Sequence, residues 1–246
     1  MNTSVIFFFK VLTLVTFFFQ FVTSFQNNRA NGGKGGAMFL SGSNSGADIE
    51  GVAFEGNVAR DGGGGISVEK NSIVRMNSVI ANNNVAVDPS VPAEGDHVSS
   101  GGFLQAYFAG PLLLRNVSMG HNRADNNGGA MQLEATAGAF HKVVFENNTA
   151  KYGNGGGLLA TGSSEIHLLE TTMTNNAAKM GAGGHVAISS SKLVVHDQKT
   201  AMQWPKSAPT FTTGFELMVT KPTLMSGGTA EHGGSISATG TVSCTF

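Results

Sequence analysis

A single cysteine, Cys244, stands in the 246 residues, so neither an internal disulfide framework nor a paired-cysteine metal site can form. Charge is scarce as well: charged residues make up 13% and the formal net charge is −1. No basic block of the kind that tracks phosphates interrupts this balance, and nucleic acid is not expected as a partner. Helical periodicity is missing too, because no window of roughly 11 to 18 residues keeps apolar side chains at i, i+3, i+4 and i+7. Glycine, at 34 residues, is too frequent for long helices. No glycine-rich segment has the spacing of a Walker or dinucleotide-binding loop. Glycine, asparagine and serine abound beside 41% hydrophobic residues, enough to build a core instead of a disordered chain.

The one long apolar run lies at the start. Residues 5–22 read VIFFFKVLTLVTFFFQFV, broken only by Lys10, Gln20 and two threonines. The Val22-Thr23-Ser24 triplet suits signal peptidase, which points to a signal peptide over residues 1–24. An uncleaved membrane anchor is the alternative, since about 18 apolar residues just span a bilayer. Residues 25–246 are then the folded body, expected outside the cell or on its surface and touching a membrane only through this segment.

In that body a glycine pair followed by an apolar residue recurs. It stands at Gly35-Gly36-Ala37-Met38, Gly64-Gly65-Ile66, Gly101-Gly102-Phe103-Leu104, Gly128-Gly129-Ala130-Met131, Gly155-Gly156-Gly157-Leu158, Gly183-Gly184-His185-Val186 and Gly233-Gly234-Ser235-Ile236. The spacings are 29, 37, 27, 27, 28 and 50 residues, so four of six agree within two and the others hold insertions. A second element precedes the glycines: Phe54-Glu55-Gly56-Asn57, Val79-Ile80-Ala81-Asn82, Met119-Gly120-His121-Asn122, Phe145-Glu146-Asn147-Asn148 and Met173-Thr174-Asn175-Asn176. With a further apolar patch between, each period reads as three short strands and three turns. A period in the upper twenties with three strands is one coil of a right-handed parallel β-helix, here of about seven coils. A leucine-rich repeat lacks support because its LxxLxLxxN pattern is absent, and a propeller blade needs about 40 residues.

Residues in the same phase of successive coils stack about 4.8 Å apart. Phe54, Val79, Met119, Phe145 and Met173 are therefore expected to form one internal stack. Asn57, Asn82, Asn122, Asn148 and Asn176 are expected to align as an asparagine ladder at a turn, where Asn tolerates positive φ. The glycine pairs, such as Gly128-Gly129, Gly155-Gly156 and Gly183-Gly184, fit a second turn where the backbone takes positive φ or coils approach too closely for a Cβ.

GGA(I/L/V) and FxxN tetrapeptides alternating in this way resemble the repeats of the chlamydial polymorphic outer-membrane proteins, within the wider pectin-lyase-like β-helix superfamily. The resemblance spans residues 35–236 and is strongest over residues 54–66 and 119–186. It implies a non-enzymatic adhesion or interaction scaffold whose partner is a protein or carbohydrate at a surface. The superfamily's other branch implies a polysaccharide lyase or glycoside hydrolase. A fragment of a larger surface protein is the third reading, since residues 241–246 end just after a glycine pair with no polar cap.

The repeat breaks near residues 86–100 and 197–213. The first break carries Asp88, Glu94, Asp96 and His97, whose spacing matches no calcium loop. The second holds the only tryptophan, Trp204, beside Lys206, a candidate contact for a sugar or protein. No catalytic set stands out. His121 occupies the repeat's own turn, His185 and His232 form no metal motif, and Arg75 and Arg115 have no recurring acids beside them. Asp61, Glu69, Glu134, Glu165 and Glu170 are scattered, so catalytic, cofactor and metal residues are all expected to be none. Asn116 and Asn147 each open an N-glycosylation acceptor triplet.

Overall fold

The computed structural model describes residues 23–43, 45–87, 99–196, 223–240 and 243–245. Every regular element among them is a β-strand, paired in parallel with its counterpart one coil away. The result is a right-handed parallel β-helix with one twelve-stranded and two seven-stranded sheets, about seven coils long. Parallel pairing between residues some 27 apart needs a full coil as its connection, which the repeat supplies.

The twelve-stranded sheet is bent. Strands Ile73–Asn82 and Leu112–Gly120 run through the bend, whereas other coils split there, as at Ala137–His141 and Val144–Glu146. The bend residues Gly51, Ser78, Asn116, Lys142 and Glu170 all have positive φ. The three strands expected per coil thus correspond to three sheets, the largest folded into two arms. A narrow sheet of mostly two-residue strands, such as Val58–Ala59 and Arg123–Ala124, forms the next side. A glycine-led sheet closes the coil, with strands such as Ile66–Glu69, Leu104–Tyr107 and Met131–Glu134.

Alternation along each strand sends one set of side chains inward. Phe54, Met119, Phe145 and Met173 are fully buried in one column, which Phe25 extends with its ring stacked 5.0 Å from that of Phe54. The third position of this column differs from the expectation. Ala81, not Val79, lies in register with Phe54 and Met119, and Val79 pairs with Val117 one step earlier. Alanine leaves space there, and Phe103 is fully buried with its ring 5.4 Å from that of Phe54.

The same shift corrects the asparagine ladder, which runs Asn28, Asn57, Asn84, Asn122, Asn148 and Asn176, with Asn84 where Asn82 was expected. Asn82 instead lies in strand register with Glu55 and Gly120. From Asn57 to Asn176 each ladder Oδ1 accepts from the backbone N–H and the Nδ2 of the asparagine one coil earlier, at 2.8–3.1 Å. From Asn57 onward each Nδ2 also donates to a backbone carbonyl of the preceding coil, for example Asn148 to Met119 at 2.9 Å. Buried amides with all these partners made hold the coils at fixed spacing. The ladder ends where Gly228 occupies the next asparagine position, and there His185 Nδ1 accepts from Asn176 Nδ2 at 3.1 Å.

The glycine turn is also shifted by one residue in its second copy. Gly63 has φ of 61° and is the counterpart of Gly35, Gly101, Gly128, Gly155 and Gly183, all left-handed. The second glycine of each pair has no room for a side chain, since a Cβ on Gly64, Gly102, Gly129, Gly156 or Gly184 would meet the carbonyl oxygen of the matching glycine one coil on.

Candidate functional site

With the interior filled by the stack and ladder, chemistry is confined to the outer faces. The bent sheet carries the densest group of ionisable side chains. Ile166, Leu168 and Leu193 point inward, so Glu165, His167 and Lys192 point out. Lys192 lies opposite Glu165 in register and its Nζ donates to Glu165 Oε1 at 2.7 Å. His167 Nε2 donates to the same oxygen at 3.1 Å, which fixes its tautomer and leaves Nδ1 to accept from His196 Nε2 at 2.9 Å. The two imidazoles stack at 5.2 Å. The hydrogen bond from Lys192 is the largest cause holding the Glu165 carboxyl below the ordinary carboxylate range.

Beyond this chain lies a second, more enclosed pair. Glu170 has a side chain 3% exposed, with His141 Nε2 and Lys142 Nζ each 3.8 Å from its oxygens. Neither ring nitrogen of His141 has a hydrogen-bond partner. Burial is the first cause pushing the pKa of His141 down, and likewise of His167, His185 and His196.

A folded-state pKa below the unfolded one means that the folded chain binds fewer protons. The stability these histidines contribute is therefore complete above their unfolded pKa of about 6.5 and lost as pH falls below it. Each adds at most about 1.4 kcal/mol per pH unit to the slope. Thermal melts from pH 8 down to pH 5 are expected to show a flat Tm above about pH 7 and a steep fall below about 6.5. A Tm independent of pH across that range would contradict the burial of these rings.

This arrangement does not assemble a catalytic pair of acids. Glu165 opens the strand Glu165–Leu169 and Glu170 stands at the bend that ends it, so their Cα atoms are about 16 Å apart at 3.3 Å per residue. Glycosidases need about 5–9.5 Å between their carboxyls. Elsewhere on the outside Asp48 pairs with Arg75 at 2.9 Å, Asp125 with Arg123 at 3.0 Å and Glu69 with Lys34 at 2.6 Å. No group of three or more His, Cys, Asp or Glu side chains suited to a metal ion occurs among the described residues.

A shallow cleft of about 420 Å³ opens at the narrow-sheet turn, lined by His121, Arg123, Asn147, Thr149, Lys151 and Lys179, with the ladder residue Asn122 at its base. Lys151 sits over the Tyr152 ring at 4.3 Å. Of the two acceptor triplets, Asn116 is exposed at the bend of the large sheet and Asn147 is half-buried beside this cleft. Asp88, Glu94, Asp96, His97, Trp204 and Lys206 lie outside the described residues. So does the apolar run over residues 5–22. The first strand begins at Thr23, two residues ahead of the boundary expected for the folded body.

The model of a right-handed beta helix region matches residues 23–199. The chain belongs to the right-handed β-helix family. This membership supports placing it in the pectin-lyase-like superfamily. No curated protein and no solved structure matches it.

The outer-face residues of this β-helix that sequence reading passed over are His141, His167, Lys192 and His196. Only the out-facing alternation Glu165-Ile166-His167, set against a strand some 27 residues later, signals them. A short Ser/Thr ladder at another turn was equally hidden. There Thr136 Oγ1, Ser164 Oγ and Ser191 Oγ accept the backbone N–H of Ala109, Thr136 and Ser164, each at 3.1 Å.

Proposed function

We propose that the protein is a non-enzymatic contact scaffold of the cell surface or extracellular space, offering the outside of a rigid solenoid to a protein or carbohydrate partner. The observation that carries this reading is the pairing of the outer acids. Asp48, Glu69, Asp125 and Glu165 each hold a cation from their own or the neighbouring coil. Asp48, Glu69 and Glu165 are thereby occupied in joining coils, and Asp125 in holding Arg123 of its own coil. The resemblance to chlamydial outer-membrane protein repeats supports a surface role, and the apolar run at residues 5–22 supports secretion.

A polysaccharide hydrolase is the rival reading, favoured by one geometric fact. Glu69 and Glu134 flank Tyr107 in register, two coil spacings or about 9.6 Å apart, near the wide limit for inverting enzymes. Incubation with polygalacturonate, alginate, xylan and laminarin, followed by ultraviolet detection of unsaturated products and by reducing-end detection, separates the two. The scaffold reading predicts no product above buffer. Product that disappears in Glu69→Gln or Glu134→Gln would establish an enzyme instead.

A further inference from the structure

The geometry points to a neutral-saccharide binding platform on the outer face of the glycine-led sheet, centred on Tyr107 and Phe108. It deepens the scaffold reading by naming a partner class, and it rests on that reading. These two are the only aromatic residues among the exposed large hydrophobic side chains of the described residues, at 43% and 51% exposure. Their rings meet edge to face, with centroids 4.7 Å apart. Phe108 has φ of 47°, at the turn position that Gly42, Gly162 and Gly240 hold in three other coils and Lys70, Ala135 and Ser190 in the rest, all with positive φ; Phe108 is the only aromatic among them. A bulky residue is disfavoured in that conformation, and here its ring is not used to fill the core. An aromatic kept at a strained and exposed position is a mark of use.

The surroundings choose the ligand. Tyr107 lies directly between Glu69 and Glu134 in register, and Lys34 holds Glu69 at 2.6 Å while standing 5.9 Å from the Tyr107 ring centre. In the next row the amides of Gln105 and Gln132 are 3.5 Å apart, with Gln105 Oε1 buried away from solvent, so the rim of the platform is formed by Glu69, Glu134 and Lys34. Apolar ring surface is thus bordered by acceptors and donors at about one coil spacing, 4.8 Å. A pyranose presents an apolar C–H face and a rim of hydroxyls, and it satisfies both at once. A wholly apolar peptide would strip water from the carboxylates and return no hydrogen bonds. A polyanion would meet Glu69 and Glu134.

The test is affinity electrophoresis of the full chain through native gels containing laminarin, xylan, galactomannan or dextran, with polygalacturonate as the charged comparison. Retardation by at least one neutral polysaccharide is expected. Tyr107→Ala and Phe108→Gly should each raise the dissociation constant about tenfold or more. Phe108→Gly should melt at the wild-type temperature or above it, because glycine relieves the left-handed backbone, so lost binding cannot be ascribed to misfolding. Absence of retardation in every neutral gel, retardation by polygalacturonate alone, or retardation unchanged in both variants would overturn the platform while leaving the scaffold reading in place. Hydrolysis of a polysaccharide whose binding depends on both rings would uphold the platform and overturn the non-enzymatic reading.

Discussion

Gly129→Ala is expected to cost about 3 kcal/mol or more, at the upper end of overpacking substitutions, because the obstacle is main chain. The new methyl group would be driven into the carbonyl oxygen of Gly156 and would lie 2.6 Å from Thr149 N. Neither can step aside cheaply. Gly129 N–H donates to Gly155 O at 2.9 Å and Thr149 N–H to Asn122 O at 3.0 Å, so moving them opens the contact between coils. For a body of this size the loss corresponds to a fall in Tm of about 6–12 °C. Gly32→Ala is the control, since a Cβ there meets nothing within 4 Å, and its Tm should stay within about 2 °C of the parent. Equal melting of the two variants would mean that the second glycine of the pair is not fixed by coil spacing.

Asn148→Ala is expected to be more damaging still, about 4 kcal/mol, from the loss of several buried hydrogen bonds at once. The side chain is fully buried and serves four partners: it accepts from Asn122 N–H and Nδ2 and donates to Met119 O and Asn176 Oδ1. Deleting it strands donors on one side and acceptors on the other. Each unsatisfied buried group costs about 1–3 kcal/mol, with partial relaxation reducing the sum. Asn148→Asp keeps the shape and the accepting oxygen but turns the donating group into a second acceptor facing Met119 O and Asn176 Oδ1. It should therefore be at least as destabilising as alanine at neutral pH, although it exchanges only the amide nitrogen for an oxygen. Chemical unfolding of the two variants measures this, and wild-type stability in Asn148→Asp would show that donation from Asn148 Nδ2 does not hold the coils together.

The fold was legible because the inside of a solenoid is written in the repeat. Phe54, Met119, Phe145 and Met173 and four of the five expected ladder asparagines fall in the columns their spacing implies. The exception has a physical cause. Ala81 stands where the motif wants an aromatic, so a search for a large residue three before an Asn settles two residues early, on Val79 and Asn82. The Asn-x-Ala spacing keeps the true phase, since Asn84-Val85-Ala86 matches Asn122-Arg123-Ala124 and Asn148-Thr149-Ala150. Those alanines, fully buried at the narrow sheet, are fixed by space and cannot drift. Asn28-Arg29-Ala30 would have added the first coil by the same rule.

The outside was far less legible. Outward positions carry no stacking requirement, so Glu165, His167, Lys192 and His196 meet without any repeated motif to announce it. Tyr107 and Phe108 are hidden for a related reason. In sequence they follow a buried segment and read as its continuation, and only the turn geometry at Phe108 separates exposed rings from core.

If the repeated asparagines join the coils to one another, their amides should open only when the whole solenoid does. Native-state hydrogen exchange, followed by NMR at the side-chain amides and backbone N–H groups of Asn57, Asn84, Asn122 and Asn148, measures this. All four are expected to exchange in the slowest class, through global unfolding, and Asn148→Ala is expected to lower the protection of the neighbouring rungs together. Rapid exchange at Asn84 with protection of the Asn82 side chain instead would contradict the ladder.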